Sequence, residues 1–175
     1  AGVDYVKFQT FKADKLVSKK AVKADYQNEK IQNGDKSQFN MLKKLELNER
    51  MHDELIAYCN QKAINFLSTP FDEESIFLLK NYKIILGKIP SGEITNMPYL
   101  RAMAKAFPKI IISTGMSEME EIKEAIGVLS DCGTKTENIT ILHCNTEYPT
   151  PMIDVNLLAM KTIKNELNIN VGYSD

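Results

Sequence analysis

Six short apolar runs, each ending in a cluster of small polar or charged residues, limit the folds open to this sequence. The clusters are Lys7-Phe8-Gln9-Thr10, Ser68-Thr69-Pro70, Lys88-Ile89-Pro90-Ser91-Gly92-Glu93, Ser113-Thr114-Gly115, His143-Cys144-Asn145-Thr146 and Tyr173-Ser174-Asp175. Segments with helical periodicity lie between the runs, so the sequence predicts repeated βα units on a parallel sheet. All strands of such a sheet end at one face, where parallel barrels collect their reactive groups.

The length of 175 residues is short for a closed barrel of this kind, which needs about 250. The chain opens on Ala1-Gly2-Val3-Asp4 without a leading strand–helix unit and stops at a predicted strand end. We therefore expect residues 1–175 to form an incomplete catalytic domain. Its fold class is α/β, a (β/α)8 TIM barrel that is here a partial barrel of about six strands, missing its first and last units.

The individual elements follow from short apolar runs and capping residues. Strands are predicted at 5–9, 65–68, 84–88, 110–113, 139–143 and 169–173. Asn48, Asp72 and Asp154 each precede a helical pattern as N-caps, Pro98 fits a first helical turn, and Ser117 to Glu120 reads as a capping box. The first of these helices is predicted to bury Met51, Leu55 and Cys59. Residues 11–37, rich in lysine, are predicted to be a loop that is either a solvated surface or a lid steering an anion.

Composition narrows the functional class. The formal net charge is −1, which gives no long-range attraction to nucleic acid or to an anionic membrane. No apolar stretch is long enough to span a bilayer. The three cysteines have no metal-like spacing, and their odd number favours a reducing compartment. We expect a cytoplasmic enzyme.

The polar strand ends favour an anion site. Lys7 and Gln9 share one face of a strand, and Lys88, Ser91 and Ser113 follow on neighbouring strand ends. A lysine facing the barrel axis requires an anion to offset its burial, and a phosphate or carboxylate would satisfy these donors. The alternative is that each lysine extends to the rim and binds nothing.

Two further residues, Glu93 and His143, have two interpretations each. Glu93 is either an acid or base beside the anion site or an ordinary capping glutamate. His143 fits a core or supporting histidine better than a ligand, and His52, among charged helical residues, is predicted to lie at the surface. No metal-ligand spacing is present, so the residues themselves predict no metal site.

Six co-linear motifs carry a resemblance to a known family over the whole chain. They are Val6-Lys7-Phe8-Gln9-Thr10-Phe11, Leu67-Ser68-Thr69-Pro70-Phe71-Asp72, Lys88-Ile89-Pro90-Ser91-Gly92-Glu93, Ser113-Thr114-Gly115-Met116-Ser117, Leu142-His143-Cys144-Asn145-Thr146-Glu147-Tyr148-Pro149-Thr150-Pro151 and Gly172-Tyr173-Ser174-Asp175. The chain resembles the sialic acid synthases, namely N-acetylneuraminate synthase and its legionaminate and pseudaminate relatives. The resemblance implies that phosphoenolpyruvate condenses with N-acetylmannosamine, or a related N-acetylated hexose, to form a nonulosonic acid with release of phosphate.

The resemblance also implies roles for individual residues. Lys88 and Glu93 are expected to be catalytic, with Glu93 near the reacting centre. The residues expected to bind substrate are Lys7, Gln9, Thr69, Ser91, Ser113, Asn145, Thr146, Tyr148 and Ser174. Thr146 stands where the family often has Asn, with Asn145 beside it, so either residue could supply the contact to phosphoenolpyruvate at this position.

Parts outside these residues are implied as well. A divalent metal, Mn²⁺ or Mg²⁺, is expected with ligands outside this chain, together with a homodimer and a C-terminal antifreeze-like domain that this chain lacks. We therefore expect the isolated piece to be inactive. Alternatives remain a legionaminate or pseudaminate synthase using a diacetamido sugar, a synthase acting on sugar phosphates, a Schiff-base aldolase using Lys7 or Lys88, and a non-catalytic anion- or sugar-binding barrel.

Overall fold

The computed structural model describes residues 2–23 and 37–175, which form a curved layer of parallel strands with helices packed outside. Its six named strands are β1 (Tyr5–Thr10), β2 (Asn65–Pro70), β3 (Leu86–Ile89), β4 (Lys109–Ser113), β5 (Ile139–Cys144) and β6 (Asn170–Ser174). β1 pairs with β2, and β3 to β6 pair in chain order, all in parallel. β2 lies beside β3, which continues the order. The prediction of a partial (β/α)8 barrel is confirmed.

Seven α-helices are described in the same part of the chain. They are α1 (Ala13–Leu16), α2 (Gln38–Lys43), α3 (Glu49–Gln61), α4 (Glu73–Asn81), α5 (Met97–Ala106), α6 (Met119–Asp131) and α7 (Leu158–Leu167). Short 3-10 turns cover Ser91–Glu93, Thr136–Asn138 and Met152–Asp154. Within these residues, no helix is long and apolar enough to cross a membrane.

Two predicted caps are confirmed by hydrogen bonds. The Asn48 side chain accepts from the Met51 N–H at 2.9 Å, and the Asp72 side chain accepts from the Ser75 N–H at 2.9 Å. Pro98 lies in the first turn of α5, as predicted. Each contact satisfies a donor that a helix start would otherwise leave unpaired.

Two other helix starts were wrongly predicted. The capping box of α6 is formed by Glu118 and Glu121, one residue later than expected, because the Ser117 hydroxyl donates to the preceding Gly115 carbonyl instead. Asp154 ends a 3-10 turn, closed by a hydrogen bond from its N–H to the Pro151 carbonyl at 2.9 Å. The chain then runs extended at Val155, so α7 begins only at Leu158.

The core lies between the strands and the helices. Its fully buried side chains include Ile89, Leu100, Met103, Ile110, Ile112, Leu129, Ile139 and Ile141. The strand residues are mostly isoleucine, whose branched side chains pack well on a pleated surface. Burying one such side chain contributes about 1.5–3 kcal/mol relative to exposure.

Helix α3 faces the sheet with a different side from the one predicted. Met51 is 44% exposed, whereas His52, expected at the surface, is fully buried. Leu55 and Cys59 pack inward as predicted. Leu55 and Cys59 fit a buried stripe that begins at either Met51 or His52. Because the neighbours of His52 are charged, the sequence did not indicate that His52 is the buried one. The His52 ring stacks on Tyr82 with centroids 6.0 Å apart.

The predicted loop at residues 11–37 is only partly described. It contains α1, and an isolated antiparallel bridge joins Val22 to Ser37. Lys23 is buried, while Lys12, Lys15, Lys19 and Lys20 are exposed. Residues 24–36, including Lys30 and Lys36, lie outside the described part, and so does any lid that they form.

Candidate functional site

A cavity of about 510 Å³ opens at the carboxyl ends of the strands. Its walls come from all six described strands or the loops that follow them. The lining residues are Lys7, Gln9, Thr69, Phe71, Lys88, Pro90, Ser91, Ser113, Asn145, Thr146, Tyr148, Ser174 and Asp175. Every predicted site residue is in this set except Glu93. This convergence is what a parallel barrel imposes on residues at its strand ends.

Lys88 is the buried cation of the cavity. Only 8% of its surface is exposed, and its Nζ donates to the Ser113 Oγ and, at 3.2 Å, to the Ile89 carbonyl. Burial lowers the pKa of Lys88 to about 8; Cys144 opposes that shift, and the positive charge of Lys7 adds to it. Since desolvation disfavours the charged amine, an anion entering the cavity would restore the stabilisation that burial removes.

Lys7 and Gln9 lie on the cavity face of β1 but are more open to solvent than expected. Both are exposed, because the alternating residues Val6 and Phe8 are the ones that pack against the core. Partial desolvation still lowers the pKa of Lys7. The argument that burial demands an anion therefore applies to Lys88, whereas Lys7 contributes charge at the rim.

Ser91 lines the cavity and contacts residues at the ends of two neighbouring strands, β4 and β5. Its Oγ accepts a hydrogen bond from the Gly115 N–H at 2.9 Å and lies 3.6 Å from the Cys144 Sγ. Gly115 is closely surrounded, since a Cβ there would lie 3.0 Å from the Ser91 Oγ and 3.1 Å from the Asn145 carbonyl oxygen. The three loops are thus held at fixed separations.

Cys144 lies under the hydroxyl groups and does not itself line the cavity. Burial raises the pKa of its thiol, but the hydrogen bonds that Ser91, the Thr114 backbone, Ser113 and Tyr148 can donate to its thiolate form outweigh that effect and leave the pKa lowered. Burial and the nearby Cys144 raise the pKa of Tyr148. The thiol therefore lies among the same hydroxyls that face the cavity.

The loop after β5 forms the outer wall. Asn145 and Thr146 both line the cavity, and the Asn145 Oδ1 accepts from the Thr146 N–H at 2.6 Å. Tyr148 is 45% exposed and precedes Pro149 through a cis peptide bond. Thr150 anchors the loop to the end of β6, because its N–H and Oγ1 both donate to the Asp175 Oδ1, at 2.8 and 2.9 Å.

Glu93 and His143 lie outside the cavity lining. Glu93 ends the 3-10 turn after Ser91, and its Oε2 accepts from the Asn96 side chain at 2.7 Å. Asn96 in turn caps α5. His143 lines a second cavity of about 460 Å³ between α6 and α7, and its ring lies 6.0 Å from Tyr173. Its position agrees with a supporting role.

Sequence reasoning missed four residues of this region. Phe71, Pro90 and Asp175 line the cavity directly, and Cys144 supports it. All four stand inside the strand-end motifs, so their positions were signalled although their side chains seemed unremarkable. Apolar and acidic side chains do not fit a search for anion donors.

Within residues 2–23 and 37–175, no group of three or more His, Cys, Asp or Glu side chains is placed to hold a metal ion.

Comparison with known proteins places this geometry in context. The chain is 53% identical over 175 residues to the N,N'-diacetyllegionaminic acid synthase of Campylobacter jejuni, and the match covers 100% of this chain and 52% of that relative. It is 45% identical to the Legionella pneumophila protein of the same name, covering 100% of this chain and 49% of that protein. The chain thus spans about half the length of these curated relatives.

A solved structure shows the same fold. The N-acetylneuraminic acid (sialic acid) synthetase of Leptospira borgpetersenii, crystallised with citrate, superposes with a TM-score of 0.80 at 28% identity. The superposition covers 98% of this chain and 54% of that one. The NeuB family model matches residues 1–175, so the chain belongs to the NeuB family.

Proposed function

We propose that the complete protein condenses phosphoenolpyruvate with an N-acetylated amino sugar, forming a nonulosonic acid and releasing phosphate. The observation that carries this proposal is the cavity itself, in which the buried cationic Lys88 and hydroxyls from several strand ends converge. Phosphoenolpyruvate carries both a phosphate and a carboxylate, which match that set of donors. The family and the names of its relatives support the same activity.

In this proposal each side chain has a physical task. Lys88 and Lys7 neutralise the anion, and the hydroxyls of Thr69, Ser91, Ser113 and Ser174 donate hydrogen bonds to it. Gln9 and Tyr148, which are more exposed, face the sugar, and Asn145 or Thr146 adds a contact to phosphoenolpyruvate. Burial strengthens the contacts made by Lys88, Thr69 and Ser113.

The bonds formed and broken are as follows. The enol carbon of phosphoenolpyruvate attacks the aldehyde carbon of the open-chain sugar, and the aldehyde oxygen takes a proton. The attack leaves a positive charge on the carbon that carries the phosphate. Water adds to that carbon and loses its protons, and phosphate leaves when the bond between its oxygen and that carbon breaks, which forms the keto group. For Glu93 to serve as acid or base in these steps, its carboxylate must reach the cavity, which it does not line in this structure.

The acceptor is the finer part of the proposal. The sequence alone favours N-acetylmannosamine, but both relatives described above are named for N,N'-diacetyllegionaminic acid. That product carries two N-acetyl groups and phosphoenolpyruvate carries none, so their acceptor must bring both. At 45–53% identity we infer that a 2,4-diacetamido sugar is the acceptor here as well.

The setting of the complete protein is proposed on similar grounds. A divalent Mn²⁺ or Mg²⁺ would polarise the aldehyde, with ligands that the described residues do not provide as a set. Residues 1–175 would be the catalytic part of a barrel completed by the rest of the protein, with a C-terminal antifreeze-like domain and a homodimeric assembly. Cys59, Cys132 and Cys144 are free thiols, which agrees with a reducing cytoplasm.

The test is phosphate release from phosphoenolpyruvate by the complete protein with Mn²⁺. We expect release with a 2,4-diacetamido-trideoxyhexose and little with N-acetylmannosamine. Lys88→Met should abolish release, whereas Lys105→Met, at an exposed position on α5, should not. Release with N-acetylmannosamine alone would instead identify a neuraminate synthase. No release with either sugar would contradict the proposed activity and favour an anion-binding barrel.

A further inference from the structure

The Ser91 hydroxyl has two protein neighbours that together determine where its proton can point. The Gly115 N–H reaches its oxygen from one side at 2.9 Å, and the Cys144 Sγ lies at 3.6 Å. Ser91 lines the cavity, whereas Cys144, only 5% exposed, does not. The cavity is the remaining direction in which Ser91 can make a contact.

The capacity of a hydroxyl for hydrogen bonds limits the arrangement. A serine has one proton to donate and two lone pairs to accept with. The Gly115 N–H occupies one lone pair. If the Cys144 S–H donates to the second, the serine proton has no partner below the cavity floor and is available above it. If Ser91 donates to sulfur instead, the cavity loses that donor.

We propose that the Gly115 N–H and the Cys144 thiol together orient the Ser91 hydroxyl so that its proton points into the cavity. Cys144 is then a positioning residue for the bound anion, which under the proposed function is phosphoenolpyruvate. It acts through Ser91 and does not touch the substrate.

The restricted geometry supports this role. A Cβ at Gly115 would lie 3.0 Å from the Ser91 Oγ, so Gly115 packs closely against Ser91, and its N–H lies 2.9 Å from that oxygen. Cys144 is the last residue of β5, and it is held by the parallel pairing of Cys144 with Ser174 on β6. Neither neighbour of Ser91 is free to move without displacing a strand end, so the orientation is built into the sheet.

The experiment compares Cys144→Ser with Cys144→Ala in the complete protein. Serine keeps an O–H donor beneath Ser91, and alanine does not. We expect Cys144→Ala to raise the KM for phosphoenolpyruvate about three- to tenfold, the range of one neutral hydrogen bond, with kcat changed less than about twofold. Cys144→Ser should stay within about threefold of wild type.

If Cys144 only fills space, Cys144→Ala should be tolerated better than Cys144→Ser, because burying a serine hydroxyl costs more free energy than burying a methyl group. Cys59, buried in the core on α3, provides the matched control, and there Ala should be tolerated better than Ser. In a Ser91→Ala background the two Cys144 variants should have equal KM values. If either variant folds poorly, the isosteric pair Cys144→Thr and Cys144→Val repeats the comparison.

The proposal is overturned if Ala is tolerated as well as Ser, or if the difference persists without the Ser91 hydroxyl. It can fail independently of the proposed function, because calorimetric binding of phosphoenolpyruvate is measured on the same variants. If wild type binds phosphoenolpyruvate but releases no phosphate, the proposed function fails. This inference is then still tested by whether Cys144→Ser binds phosphoenolpyruvate with a lower Kd than Cys144→Ala. If wild type does not bind it, both fail.

Discussion

The Nε2 of His52 lies 2.9 Å from the Thr10 Oγ1, which joins helix α3 to the end of strand β1 inside the core. The other ring nitrogen, Nδ1, lies 2.8 Å from the Asn48 carbonyl, which can only accept, so Nδ1 carries a proton. In the neutral ring Nε2 then accepts from Thr10, and Thr10 accepts from the Ser68 hydroxyl 2.7 Å away. One chain of hydrogen bonds thus ties α3, β1 and β2 together.

Breaking this series of hydrogen bonds should lower the free energy of unfolding. We expect His52→Leu to lower the free energy of unfolding by about 1–3 kcal/mol, because Thr10 and the Asn48 carbonyl each lose a buried partner. Met51→Leu, at the exposed neighbouring position, should change it by less than about 0.5 kcal/mol. Urea unfolding of the complete protein measures both, and equal effects would show that the network contributes nothing.

Anion affinity should depend on pH through Lys88. Its pKa of about 8 means that the amine is charged below that pH and neutral above it. We expect the Kd for phosphoenolpyruvate to be nearly constant from pH 6.5 to 7 and to rise above pH 8, by at most about tenfold per unit. In Lys88→Met, binding should be weaker at pH 7 and this rise should shrink. A rise of the same size in the variant would assign it to another group.

The same residue should destabilise the protein when no ligand is bound. Between pH 8 and 10.5 the unfolded lysine holds a proton that the folded one has lost, so stability should increase with pH there. At pH 7, Lys88→Met should therefore raise the free energy of unfolding, by on the order of 1–3 kcal/mol. The gain should diminish as the pH rises to 9.5. Lys105→Met should show neither effect in urea unfolding.

The close contact at Gly115 gives a steric prediction. A methyl group in Gly115→Ala would lie 3.0 Å from the Ser91 Oγ, and the other two nearby atoms belong to the Asn145 backbone, which cannot move aside easily. We expect anion affinity to fall about tenfold or more, the equivalent of about 1.4 kcal/mol, with a lower melting temperature.

Gly127→Ala is the control for that substitution. Gly127 lies in helix α6 with nothing within 4 Å of a built Cβ, so alanine there should stabilise by about 0.5–1 kcal/mol and leave binding unchanged. Unaltered binding in Gly115→Ala would mean that the strand ends relax freely around Ser91.

Asp72 caps helix α4 and also links it to the backbone at Lys12. Its Oδ1 accepts from the Ser75 N–H, and its Oδ2 accepts from the Lys12 N–H at 3.2 Å. Asp72→Ala should cost about 0.5–2 kcal/mol, whereas Asp72→Asn, which keeps an acceptor for the helix start, should cost less. Thermal melting compares the two, and an equal loss in both would point to the charge rather than to the cap.

Much of the fold could be predicted because strand ends and helix periods are local signals. Each strand was located to within two residues; β3, predicted from residue 84, begins at Leu86. Since parallel strands point the same way, residues as distant as Lys7 and Ser174 could be assigned to one site without knowing any contact.

The remaining features depend on contacts that no local pattern encodes. Helix α3 had two apolar phases one residue apart, and only packing against β1 and β2 selects His52. The contact of Ser91 with Gly115 and Cys144 joins segments that are distant in sequence, and the Glu93 carboxylate is hydrogen-bonded to Asn96.

The cavity takes walls from β1 and from β6, the first and last of the described strands. Contacts between segments so far apart in sequence are slow to form, since the intervening chain must first be ordered. A ligand held by Lys7 and Ser174 at once would act as a reversible cross-link between those strands. Its binding would stabilise the folded state in proportion to the logarithm of its concentration, so the fold would be most stable when that ligand is abundant.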